Sequence, residues 1–173
     1  KAYPVIQCKA DEALKEAEKF IQSAPVQVDV VLFDLPGTVN TPGVLTTLTG
    51  INYIFSPITA DRVVIESTLS FTEVLTNVLI KKSQTSIEAI SLFWNQVDGR
   101  EKSPLYEVYE KVIKELGLTL METFITDSKR FRKEGEATAK TVFRSTLLPP
   151  DEKLMKACRM DLFMHEFIKT VKL

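Results

Sequence analysis

The chain has 173 residues, 45% of them hydrophobic and 26% charged, which is the composition of a globular protein long enough to bury one sizeable core. Its 22 basic and 23 acidic residues nearly cancel, so net charge argues neither for nor against a nucleic-acid partner, and any electrostatic footprint must be a local patch. Six Gly and eight Pro exclude a collagen-like or low-complexity chain, no apolar run reaches the roughly 18 residues of a membrane span, and no basic start followed by an apolar core suggests a signal peptide.

Tyr3 to Cys8 (YPVIQC) reads as a short strand. Asp11 to Ser23 reads as a helix with Leu14, Ala17, Phe20 and Ile21 on one face. Val28 to Phe33 (VDVVLF) is β-branched and apolar, the pattern of a strand buried on both faces. Leu35 to Gly43 carries two Pro and two Gly and reads as a loop. Ile51 to Ile58 is the next strand, and Asp61 to Lys82 a long helix with its cap near Thr59. Ile87 to Trp94 is a strand. Ser103 to Leu116 is a helix that Ser103 can cap, with Pro104 in its first turn and Gly117 at its end. Leu118 to Ile125 is a further strand, Asp127 to Pro150 is irregular and basic, and Asp151 to Val171 is a closing helix.

Strands separated by helices imply parallel crossovers rather than hairpins. The expected fold is one α/β domain over residues 1–173: a mostly parallel sheet with helices on both faces. Ligands in such folds sit outside the carboxyl ends of the strands. Two candidate sites lie there. Asp34-Leu35-Pro36-Gly37 follows VDVVLF, and a carboxylate so placed can serve an Mg²⁺ ion that carries phosphates and keeps most of its water. The bland alternative is an Asp that caps a turn and a Gly that permits it. Asn95-Gln96-Val97-Asp98 follows ISLFW, and the Asn95 amide offers a donor and an acceptor to a base edge. The bland alternative is an Asx turn.

These stretches carry a resemblance. VDVVLFDLPGT, INYIFSPITADRVVIESTL and LFWNQVD resemble the second half of the ParA/MinD family of deviant-Walker P-loop ATPases. ADRVVIESTLSF, FWNQVDGREK, KVIKELGL and FRSTLLPP are similar to its ParA-type members from Bacteroides-type conjugative transposons. The resemblance covers essentially the whole chain. It implies a P-loop NTPase-like fold, ATP and Mg²⁺ as ligands, Asp34 as the Walker B carboxylate acting on Mg²⁺ through water, and Pro36 and Gly37 as the switch segment. It further implies Asn95 at the adenine and Asp127, in the loop after the next strand, beside the base or ribose. The Gly-rich loop with GK[ST] that cradles phosphates in that family has no counterpart here. The chain is therefore similar to the C-terminal two-thirds of such proteins, and by itself is expected to bind ATP weakly and not to hydrolyse it.

From Asp127 to Arg144 there are six basic and three acidic residues. Lys129, Arg130, Arg132, Lys133 and Arg144 are candidates for phosphate contacts to DNA without base readout; a solvated loop is the alternative. The single histidine, His165, reads as a helix-face residue lacking the positioned partner that catalysis needs. Phe93 and Trp94 read as core. Cys8 and Cys158 lie far apart with no CxxC, which argues against a disulfide scaffold or a zinc site and for a reducing cytoplasm; both read as small buried or half-buried residues. The closing helix mixes Lys153, Lys156, Arg159, Lys169 and Lys172 with four acidic residues, so packing against the sheet is favoured over membrane binding.

The favoured function is a ParA-type ATPase subunit that forms a homodimer on ATP, binds non-specific DNA and is released by a ParB-like partner protein, in segregation or conjugative transfer of a mobile element. A GTPase is the second reading, since residues 34–37 fit DxxG and 95–98 fit NKxD apart from Gln96. A non-catalytic DNA-binding or assembly module is the third.

Overall fold

A computed structural model describes residues 3–37, 41, 43–80, 85–99, 104–132 and 151–173. They divide into two compact units. Of these described residues, one unit holds those within 4–54 and 70–89, and the other holds Tyr3 and those within 55–69 and 90–173.

In the unit that begins at residue 4, a 3-10 turn (Ala10–Glu12) leads into α1 (Ala13–Ser23), and α2 spans Val44–Thr49. Val44, Leu48, Ile54 and Leu75 are buried, and the Thr47 hydroxyl donates to the Ala10 carbonyl. Gly43, at φ 83°, precedes α2 with its Cα against the backbone of Asp11, where any side chain would collide. Ile21, expected on the buried face of α1, is exposed.

The other unit is built on a three-stranded parallel sheet in the order β1 (Tyr53–Ile58), β2 (Ala89–Trp94) and β3 (Thr119–Leu120). Alternation along β2 separates two cores. Leu92 and Trp94 pack with Ile58, Ile65 of α3 (Arg62–Val74) and Ile113 of α4 (Leu105–Glu115). Phe93, on the opposite face, packs with Met121, Ile125 and Phe163 of α7 (Met160–Thr170), and Phe55 meets Phe167 with ring centroids 4.7 Å apart. An α/β unit with helices on both faces of a parallel sheet is thus present.

Helix ends follow local chemistry. The Asp61 carboxylate accepts from the backbone N–H groups of Val63 (2.8 Å) and Val64 (3.1 Å), so Asp61 caps α3 in place of Thr59. The same rod continues beyond α3 as a π-helical turn over Leu75–Ile80. Gly117, at φ 70°, closes α4, with its N–H on the Lys114 carbonyl and the Leu118 N–H on that of Ile113. Ser103 lies outside the described residues.

Four expectations are corrected. Tyr3 to Cys8 and Val28 to Phe33 are not strands: both lack a ladder, Val5 is 82% exposed, Leu32 is 78% exposed, and Cys8 is exposed too. Strands exist only where a neighbour accepts their backbone groups, and among the described residues neither segment makes a ladder bond. Leu118 to Ile125 forms only the two-residue β3, followed by an isolated parallel bridge from Thr126 to Val97. The closing helix is broken into α6 (Glu152–Ala157) and α7, because Arg159 takes a left-handed conformation at φ 58°. The break is compensated: Thr126 donates through Oγ1 to the Ala157 carbonyl and through N–H to that of Cys158.

Candidate functional site

The carboxyl end of the sheet is stitched by backbone bonds. The Asn95 N–H donates to the Ile58 carbonyl (2.7 Å), that of Ile125 to Trp94 (2.9 Å), that of Val97 to Ile125 (3.0 Å) and that of Asp127 to Val97 (2.9 Å). Asn95 and Asp127 are therefore held on one edge, within one unit. The Asn95 Oδ1 accepts from the Gln96 N–H at 2.9 Å, and Gln96 sits at φ 57°. This is a local Asx-type contact. It uses the acceptor half of the amide and leaves the Nδ2 donors as the part that can meet a ligand.

Asp34 belongs to the other unit. Its carboxylate is exposed at the end of the extended VDVVLF segment, Pro36 and Gly37 follow it in exposed backbone, and a Cβ built on Gly37 meets nothing within 4 Å. An exposed carboxylate suits a hydrated Mg²⁺, which needs only one or two protein carboxylates. Among the described residues no group of three or more His, Cys, Asp or Glu could hold a metal ion.

The basic segment is only partly visible. Lys129 to Arg132 form the four-residue helix α5, and Arg130 pairs with Asp151 across 3.3 Å while its N–H donates to the Ser128 hydroxyl. Lys133 and Arg144 lie outside the described residues. Asp151 also caps α6 by accepting from the Leu154 N–H at 3.0 Å; that bond, with Arg130, holds its carboxyl below the ordinary range. Arg130 is thus engaged within the chain. His165 is exposed on α7. Cys158 is buried, and burial pushes its thiol upward against hydrogen bonds from Ser128 and Thr126, so it is not a ready nucleophile. No helix of the described residues is long and apolar enough to cross a membrane.

Three features of the sheet unit went unread in the sequence. Arg159 places its guanidinium 4.0 Å from the centroid of the Phe124 ring. Glu166 of α7 accepts from the Glu122 N–H (2.8 Å), the Thr123 N–H (2.8 Å) and the Thr123 hydroxyl (2.5 Å), clamping α7 to the turn after β3. Burial alone would raise its pKa; the Thr123 hydroxyl and the two amides together outweigh burial and hold it below the ordinary value. Lastly, a cavity of about 220 Å³ opens beside β2, walled by Trp94, Tyr106, Phe124, Asp98 and Glu110. The i, i+4 spacing of Tyr106 and Glu110 on α4 was a signal for that wall. Compared with protein-family models the chain matches none, and compared with curated proteins it matches none either.

Proposed function

We infer that the chain is a nucleotide-binding protein of the ParA type of P-loop-like ATPase, acting in segregation or transfer of DNA. The observation that carries this reading is the placement of both Asn95 and Asp127 at the carboxyl edge of a parallel sheet, where α/β proteins take their ligands. Sequence order adds the exposed Asp34 with Pro36 and Gly37 for the phosphate end. On this reading Asn95 donates from Nδ2 to a base edge, Asp127 lies beside the base or ribose, and Asp34 orients the water shell of Mg²⁺. The ion would supply charge neutralisation at the phosphates. The chain contains no GxxxxGK[ST] loop, so these residues bind and orient without completing a hydrolytic site. DNA contact through Lys129, Arg132 and their basic neighbours, ATP-dependent homodimerisation and release by a ParB-like protein belong to the same proposal.

The test is equilibrium binding of a fluorescent ATP analogue to the 173-residue chain with Mg²⁺, competed by ATP and by GTP. Weak binding, displaced better by ATP and reduced by Asn95→Ala, supports the reading. Preferential displacement by GTP would move it to the GTPase class, and sustained Mg-ATP turnover by this chain would refute the division of labour stated above.

A further inference from the structure

Beyond nucleotide binding, and independently of it, we propose that the cavity beside β2 is a site for a donor-bearing organic cation, an ammonium or guanidinium head group. Its volume of about 220 Å³ is below the roughly 300–1,000 Å³ of pockets that enclose drug-sized ligands, so it suits a head group or one side chain. The walls are chosen for positive charge. Trp94, Tyr106 and Phe124 present aromatic rings, with the Trp94 and Tyr106 centroids 4.7 Å apart in an edge-on pair. Aromatic faces attract cations, as Arg159 over Phe124 already demonstrates in this unit.

Two carboxylates complete the walls. Glu110 is fixed by the Trp94 indole, whose Nε1 donates to its Oε1 at 3.0 Å, and this leaves Oε2 for a ligand. Asp98 has an interaction of its own within the chain and contributes negative charge. Among the described residues at the wall, Asp98 and Glu110 bring two carboxylates, and Arg159 opposes a second cation from beside Phe124. The acceptor-rich wall also argues against a neutral base. A purine needs donors for its ring nitrogens, and the indole N–H is already committed to Glu110. Ammonium and guanidinium groups are donors only, which matches what the wall provides. The head group could belong to a basic side chain of another protein or to a free amine; the chemistry is the same.

Trp94 is the sole tryptophan, so its fluorescence reads the pocket directly. The experiment titrates the whole chain, at fixed ionic strength, with N-acetylarginine amide, with its neutral citrulline analogue, with butylammonium and with adenosine. Saturable change in the millimolar range with the cations and not with citrulline supports the proposal. Tighter binding of the arginine amide then identifies a guanidinium as the preferred head group, and tighter binding of butylammonium an ammonium, whether of a lysine side chain or of a free amine. Glu110→Gln should weaken the cation by about tenfold, the loss of one charge-assisted hydrogen bond. Glu107→Gln, on the same helix but outside the cavity, should leave binding unchanged and keep the spectrum of the folded chain. Equal binding of citrulline, a response to adenosine alone, or no saturable response to any cation overturns the assignment.

Discussion

Glu166→Gln tests how the last helix is held. In the native chain one carboxylate satisfies two backbone N–H groups and one hydroxyl at 2.5–2.8 Å. The amide of Gln keeps one acceptor oxygen, and its NH₂ group faces a backbone donor in place of the second. Hydrogen bonds to a charged group are worth about 1.5–3 kcal/mol each. Glu166 is only partly buried, so solvent takes part of that, and the net loss should be about 2 kcal/mol. For a chain of this size the midpoint of thermal unfolding should fall by about 4–8 °C. Trp94, in the same unit as Glu166, reports the transition. The pH dependence has a definite sign. The folded pKa of Glu166 lies below the ordinary 4.5, so its contribution is fully present above that value and disappears as pH falls through the depressed folded value. The gap between native and Glu166→Gln chains should therefore be widest near neutral pH and close in acid. An equal gap at pH 7 and in acid, or none at pH 7, would refute the clamp.

Gly117→Ala should cost about 1–2 kcal/mol, because an alanine at φ 70° is strained though nothing crowds its Cβ. Gly43→Ala should cost more, since its Cβ also collides with the Asp11 backbone, and denaturant midpoints of the two variants give the comparison directly. Asp61→Ala should destabilise α3 by about 1 kcal/mol through loss of its cap, read by chemical denaturation, while Thr59→Ala should be nearly silent. If the basic segment binds DNA, affinity should drop steeply between about 50 and 200 mM salt, and a flat salt response in a filter or anisotropy assay would rule out phosphate contacts.

The candidate site was legible in part. Asn95 is conspicuous because it follows an apolar run, and that run is indeed β2, with Phe93 and Trp94 buried as its pattern requires. Asp34 was conspicuous for the same reason, yet its run makes no ladder. The same signal therefore had two outcomes, because alternation and β-branching report what a strand needs on its faces and say nothing of whether its edges find partners. The cavity and the Glu166 clamp were hidden for another reason. Glu166 and Thr123 are 43 residues apart, and no local pattern links them.

Local sequence by itself determined α1, α3 and α4, the turn at Gly117 and the apolar run of β2, since each depends on side chains within a few residues. Tertiary structure alone decided that the closing helix breaks at Arg159. The left-handed residue is repaid by Thr126, which bonds the carbonyls of Ala157 and Cys158, and by Phe124 beneath the guanidinium. Both partners come from more than 30 residues earlier, so the balance between a continuous helix and a bent one was set by contacts that only the folded chain creates.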